Sequence, residues 1–235
     1  MVGQSCQICK TIGTMLNKKV VIIGGEGNGG VVASCIEDNR NRFGDLEWEV
    51  AGFINDFETE VDGFTVIGKL VDIPYLLATT DYYFIWAIHL VGRNYKTAEM
   101  FETANIPNDR LATIVHKSAF IGKGAVLEPG AFVMCHSYIG PNAHIGKCSL
   151  VMANCSICHD TYIDEICHCS VGSKMTGYSR LDYCSDLAVG ATIIAYKIVG
   201  KYSMVAANSL GTHDIPEGEI WAGIPAKFMK KMSKE

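Results

Sequence analysis

The chain has 235 residues, 49% of them hydrophobic, with 25 acids against 20 Lys and Arg and a formal net charge of -5. That length holds one large domain or two smaller ones, each with its own core, and the charge balance argues against a protein that wraps a nucleic-acid backbone, which needs clustered bases. No apolar stretch approaches a bilayer-spanning length, and the early run 20–23 is too short for a signal core, so a soluble cytoplasmic protein that contacts no membrane is expected.

Residues 1–18 read as an N-terminal extension. Its Cys6 and Cys9 form a CxxC with no second pair nearby, which falls short of the four ligands of structural zinc. Residues 19–23, KVVII, predict a buried strand. It runs into Gly24-Gly25-Glu26-Gly27-Asn28-Gly29-Gly30 and then an apolar helix at 31–36. Strand, glycine turn and helix together offer backbone N–H groups to an anion; the alternative is a tight turn that binds nothing. A second strand, Trp48–Ile54, ends in Asn55-Asp56, where an acid can hold a ribose. Phe64–Gly68 predicts a short strand or turn, 72–79 a helix, 82–88 a third strand and 96–103 a short helix. The alternation implies a small Rossmann-like α/β domain over 19–112. No second complete nucleotide-binding half follows, which argues against a nicotinamide oxidoreductase.

From about residue 114 the chain repeats every six residues. Stepping from Ile121 through Leu127, Val133, Ile139 and onward to Val205, every sixth position is apolar, counting Cys169. Four residues after each stands a small residue, from Ala125 to Ser209, with Lys197 as the one exception. A hexapeptide period is the signature of a solenoid whose coils stack to share a core. An antiparallel barrel would show period two and hairpin turns. The β-helix is therefore placed at 113–210, with a local bulge or distorted coil at Lys197, since a charged amine cannot sit in a dry core. Seven cysteines fall inside the repeat, and packing accounts for several of them without disulfides. Residues 211–235 form a tail and cap, with Trp221 placed to cover the last coil and 228–232 as a short amphipathic helix.

The hexapeptide period, the tail Trp221-Ala222-Gly223-Ile224-Pro225-Ala226-Lys227 and the glycine turn resemble the hexapeptide-repeat acyltransferases. Within these, the domain order is similar to the sugar O- and N-acetyltransferases of sialic-acid and bacillosamine pathways. The resemblance implies a left-handed parallel β-helix and a homotrimer with active sites between subunits. It also implies acetyl-CoA as cosubstrate, no metal, and a nucleotide-linked amino sugar held by the N-terminal domain. Ile157-Cys158-His159-Asp160 matches the family's catalytic stretch, which makes His159 the general base and Asp160 its partner. The same resemblance carries His168 to the acyl carbonyl or the cofactor, Gly172, Gly190 and Lys227 to the cofactor, and Gly24, Gly27, Asn28, Asn55, Asp56 and Arg93 to the nucleotide sugar. The glycine turn departs from the family pattern at Glu26, Asn28 and Gly30, and His89 stands where relatives carry a glycine.

Transfer from a thioester to an amine needs a base for the amine proton, donors for the oxyanion and two substrates held together. Histidine suits the first because it titrates near neutrality. The expected reaction is N-acetylation of a nucleotide-linked amino sugar of the UDP-4-amino-4,6-dideoxyhexose type by direct attack, with no acyl-enzyme on Cys158. The alternatives are O-acetylation of a sialic-acid-like sugar, a non-catalytic β-helix scaffold, and metal-assisted hydrolysis by histidines meeting across subunits.

Overall fold

A computed structural model describes residues 17–234; Cys6 and Cys9 lie outside the described residues. Strand β1 (Lys18–Ile23) is paired in parallel with β2 (Trp48–Ile54) on one side and β5 (Tyr83–Trp86) on the other. Beyond β2 lie β4 (Phe64–Gly68) and the short antiparallel edge strand β3 (Glu60–Val61), in the order β3-β4-β2-β1-β5. The four residues Val20, Val21, Ile22 and Ile23 are fully buried, as expected for a parallel strand covered on both faces. Helix α1 (Asn28–Phe43) begins within the glycine turn and runs well past residue 36. It stops at Gly44, whose φ of 68° suits the left-handed cap. Helix α2 (Ile73–Thr79) follows a 3-10 turn, and α3 (Asn94–Ala104) ends at Asn105, also left-handed.

The repeat folds into a triangular prism of two-residue strands. Residues eighteen apart stack in register: Ile139 on Ile157, Ile145 on Ile163, Val151 on Cys169. Three faces result. The docking face carries Phe132–Val133, Leu150–Val151, His168–Cys169, Asp186–Leu187 and Met204–Val205. The second face carries Tyr138–Ile139, Ser156–Ile157, Lys174–Met175 and Thr192–Ile193, and the third His144–Ile145, Tyr162–Ile163, Arg180–Leu181 and Ile198–Val199. The every-sixth apolar residues fill the interior from Val133 to Val205. The small residues beside them are buried as well, and several have a second role. Ser137 Oγ donates to Met152 O at 2.8 Å and Ser149 Oγ to Asp164 O at 2.7 Å, tying one coil's turn to the next.

The N-terminal sheet packs on the docking face and its neighbouring corner. Ile36, Ile85 and Ala112 share a core with Phe132, Leu150 and Met152, while Trp86, Ala98 and Phe101 share another with Cys148, Ile166 and Cys184. All eight described cysteines are free thiols. Burial pushes Cys148 and Cys167 up to about 12, which fits packing rather than nucleophilic thiols.

Two expectations change. Lys197 causes no bulge: Arg180 N donates to its carbonyl at 2.9 Å, Ile198 and Val199 stay in register, and the side chain is half-buried rather than turned into the core. The described residues of the tail form no helix. Ala226–Lys231 is a strand antiparallel to Glu219–Gly223, which itself extends the docking-face sheet at Met204–Val205. The last coil presents an unpaired strand edge, and pairing it with the tail satisfies those backbone groups. Trp221 packs against the interior there, and its Nε1 donates to Glu219 at 2.8 Å.

Candidate active site

Each corner of the prism needs one residue with left-handed backbone, and these recur every six positions. The corner between the second and third faces is built by Asn142, Asp160, Tyr178 and Tyr196, with φ of 57°, 54°, 61° and 62°. Asn and Asp adopt this conformation readily, whereas tyrosine does so at a cost. The column therefore projects an amide, a carboxylate and two phenols from successive coils, with His159 just before Asp160.

His159 Nδ1 lies 2.8 Å from Asp160 Oδ2, and the His159 side chain is 55% exposed. Asn142 Nδ2 donates to Asp160 Oδ1 at 3.1 Å from the coil before. The hydrogen bond from His159, followed by that from Asn142, holds the Asp160 carboxyl below the usual carboxylate range. The Tyr178 ring meets His159 edge-on at 5.3 Å and stacks on Tyr196 at 5.0 Å. Gly177 lies directly against the imidazole: a Cβ there would fall 2.7 Å from Cε1 and 2.8 Å from Nε2. The ring is thus held through Nδ1, while Nε2 makes no hydrogen bond among the described residues.

A second locus lies on the opposite side of the prism. Gly24, Gly27, Asn28, Asn55 and Asp56 line one cavity of about 330 Å³ at the ends of β1, β2 and β5, together with Ala87, His89 and Met100. Gly24 packs on Ala87, where a Cβ would approach to 3.3 Å. The Asn55 amide donates to Gly24 O at 3.2 Å, while Asp56 Oδ1 accepts from Leu70 N at 2.9 Å. Helix α1 opens onto the cavity with no acid in its first turn and no side-chain cap, which leaves its N-terminus suited to an anion. Glu26 is exposed and does not line the cavity. Arg93 is exposed at the start of α3 and does not line it either.

His168 is apart from His159. It sits on the docking face, 8% exposed, and its ring stacks on His89 at 4.1 Å. Burial, and then the neighbouring His89, hold its imidazole well below the ordinary histidine range. Asp186, one coil on from His168, lies 3.5 Å from His89 Nε2 and accepts from Asn94 Nδ2 at 2.8 Å. Burial raises its carboxyl to about 6, against the opposing pull of His89 and Asn94. These three residues could together hold a metal ion.

Gly172 and Gly190 are left-handed corner residues between the docking and second faces, with φ of 69° and 66°. A Cβ at Gly172 would meet nothing within 4 Å, leaving open backbone, whereas at Gly190 it would fall 2.3 Å from Asn208 Oδ1. Lys227 is exposed on the outer tail strand, opposite Ala222. Sequence reasoning missed Asn142, Gly177, Tyr178, Asn94 and Asp186. The signal for the first three is the eighteen-residue step, which places Asn142 and Tyr178 one coil before and after Asp160.

No family model matches the chain. Perosamine N-acetyltransferase from Caulobacter crescentus, solved as a histidine variant with CoA and GDP-perosamine, is 25% identical with a TM-score of 0.78, over 91% of this chain and 97% of that one. The acetyltransferase domain of PglB from Neisseria gonorrhoeae is 26% identical with a TM-score of 0.78, over 91% and 100%. In sequence, gamma carbonic anhydrase 2 of Arabidopsis thaliana is 30% identical over 125 residues, 52% of this chain and 33% of that protein. Gamma carbonic anhydrase 1 of the same organism is 28% identical over 178 residues, 62% and 61%. The chain thus matches between a third and three fifths of the length of these curated relatives. The architecture is that of the hexapeptide-repeat acyltransferases: a small α/β domain followed by a left-handed β-helix. No helix among the described residues is long and apolar enough to cross a membrane.

Proposed function

We propose that the protein transfers the acetyl group of acetyl-CoA to the amino group of a nucleotide-linked amino sugar. The observation that carries this reading is the His159–Asp160 pair at 2.8 Å, exposed on a corner, with no hydrogen bond at Nε2 among the described residues. It is joined by likeness over nearly the whole chain to an N-acetyltransferase solved with CoA and GDP-perosamine.

In this mechanism the sugar amine attacks the thioester carbonyl and His159 Nε2 takes the amine proton. The tetrahedral intermediate collapses, the C–S bond breaks, and the imidazolium returns the proton to the leaving thiolate. Asp160 fixes the tautomer with the proton on Nδ1 and stabilises the imidazolium. The acceptor is a nucleoside-diphosphate 4-amino-4,6-dideoxyhexose. UDP is the nucleotide expected from the resemblance, and GDP is the one bound by the solved relative. The α1 N-terminus and the Asn55-Asp56 end of β2 receive the nucleotide. The open backbone at Gly172, with Gly190 and Lys227, receives the cofactor, whereas His168 is buried against His89 on the docking face and is not part of that surface.

The two loci also support an assembly. In a triangular prism the corner between the second and third faces is farthest from the docking face. One chain therefore cannot bring its own His159 to its own glycine-turn cavity. A homotrimer, with the base from one subunit and the nucleotide pocket from its neighbour, completes the site in the cytoplasm.

The test is CoA release from acetyl-CoA with a panel of UDP-, GDP-, dTDP- and CMP-linked amino and hydroxy sugars. Release with one nucleotide-linked amino sugar, lost in His159→Ala, is the expected result. Release only with hydroxyl acceptors would move the assignment to O-acetylation, which uses the same base. Absence of CoA binding would overturn it, and CO₂ hydration by the same preparation would turn attention to the carbonic anhydrase likeness.

A further inference from the structure

We propose that His89, His168 and Asp186 bind one divalent transition-metal ion of the zinc class at the seam between the N-terminal sheet and the β-helix. This departs from the metal-free site expected from sequence. One ligand atom from each residue lies within 4.8 Å of the other two. The residues come from three separate strands or loops: His89 follows β5, and His168 and Asp186 stand in register on successive coils of the docking face.

Orphaned polar atoms carry the argument. Buried polar groups are ordinarily hydrogen-bonded, and each exception needs an explanation. Here His168 Nε2, Asp186 Oδ1 and Asn94 Oδ1 are all buried without a hydrogen-bond partner among the described residues. They belong to one cluster, because Asn94 Nδ2 donates to Asp186 Oδ2 at 2.8 Å and His89 stacks on His168 at 4.1 Å. The Asp186 and His89 side chains are 2% and 5% exposed, so bulk water reaches them little. Two of the orphans, a carboxylate and an amide oxygen, can only accept; a place that gathers acceptors inside the protein calls for a cation.

Two imidazoles and a carboxylate form a zinc-type donor set, with a fourth position left for water or the Asn94 oxygen. Zinc ligand atoms stand about 3.3 Å apart in a tetrahedron. Closure therefore asks for a turn of the His89 ring out of its stack, and His89 sits in the loop after β5 rather than in the rigid coil. Asn94 already orients the carboxylate through its amide, the support that metal ligands need. Because His89 also lines the glycine-turn cavity, a bound ion would pin that pocket's floor to the β-helix.

The experiment uses the full chain, stripped with EDTA, dialysed and titrated with Co²⁺ while the visible d–d bands are followed. Zn²⁺ competition and metal analysis give the stoichiometry. The expected result is one ion per chain, bands of low-symmetry cobalt without a thiolate charge-transfer band, and a rise in melting temperature. His89→Ala and Asp186→Asn should each weaken binding at least about tenfold, while Cys6→Ser/Cys9→Ser leaves it unchanged. Asp186 lies in the packed face, so the loop variant His89→Ala decides the question if Asp186→Asn fails to fold. Failure of the wild type to take up one ion, binding retained in His89→Ala, or a thiolate band lost in the cysteine variant would each overturn the proposal and leave water as the partner of the orphaned atoms. None of these readouts depends on acetyl transfer.

Discussion

Gly177 lies against the His159 imidazole so closely that a single added methyl would fall 2.7 Å from Cε1. The glycine's φ is not in the left-handed region, so alanine can take up its backbone, and the three nearest atoms its Cβ would meet all belong to the His159 ring. Gly177→Ala should therefore leave folding intact while pushing the imidazole off Asp160. Misplacement of a catalytic group by about 1 Å costs on the order of 10²-fold in rate. The expected outcome is a loss of kcat of that order, with the melting temperature and CoA affinity near those of the wild type. Unchanged kcat in a folded Gly177→Ala variant would show that His159 is not the base.

Asp160 should matter through its charge rather than its place in the turn. Asparagine adopts the same left-handed backbone, so Asp160→Asn keeps the corner and removes the carboxylate that orients Nδ1–H. A fall in kcat of about 10²-fold or more is expected. The pH dependence has a definite sign. The folded carboxyl is depressed by its hydrogen bonds to His159 and Asn142, so its contribution is fully present above the unfolded aspartate value of about 3.9 and is lost as pH falls through the folded value. Asn142→Gly, which tolerates the positive φ, removes one of those bonds. A ¹³C titration of Asp160 should then shift upward; no shift would mean that the Asn142 contact is absent in solution.

How far this was legible beforehand depends on the range of each interaction. The six-residue period exposes the solenoid because every coil repeats the same packing problem, and it positions Ile157, Ile163 and Cys169 without any structure. The His159–Asp160 pair is adjacent in sequence and could be read directly. Asn142 and Tyr178 stand eighteen residues from Asp160, so they become neighbours only once the chain is coiled. His89, Asn94 and Asp186 meet across the seam between two domains, which no local pattern encodes. Lys197 misled because its slot was read as wholly inward, whereas that side chain stays half-buried in an unbroken coil. The tail misled because its pairing partner is the open edge of the last coil, not its own periodicity.

Cys158 separates direct transfer from an acyl-enzyme. Cys158 precedes His159 in the chain, and its backbone is held in the coil, where its N–H donates to Met175 O at 2.9 Å and its carbonyl accepts Thr161 Oγ1 at 2.9 Å. Cys158→Ala should retain turnover within about twofold, because the proposed nucleophile is the sugar amine and the protein supplies only a base. Rapid-quench mass analysis should detect no acetylated chain. A burst of acetyl-protein, lost together with turnover in Cys158→Ala, would replace direct attack with a two-step route.

Complementation tests the division of the site between subunits. His159→Ala removes the proposed base at one corner of the prism, and Asn55→Ala removes the tie to Gly24 O in the cavity over the docking face. Each variant alone should be impaired, the first in kcat and the second mainly in KM for the nucleotide sugar. If both loci had to come from one chain, mixing the two variants by unfolding and refolding together would restore nothing. If the base meets a neighbour's cavity, random assembly gives roughly one interface in four with both halves intact. Activity should then recover toward that fraction of wild type, and only when the subunits are exchanged rather than merely combined. Recovery absent from a preparation shown by mass to contain mixed trimers would place the whole reaction within a single chain and exclude the inter-subunit site.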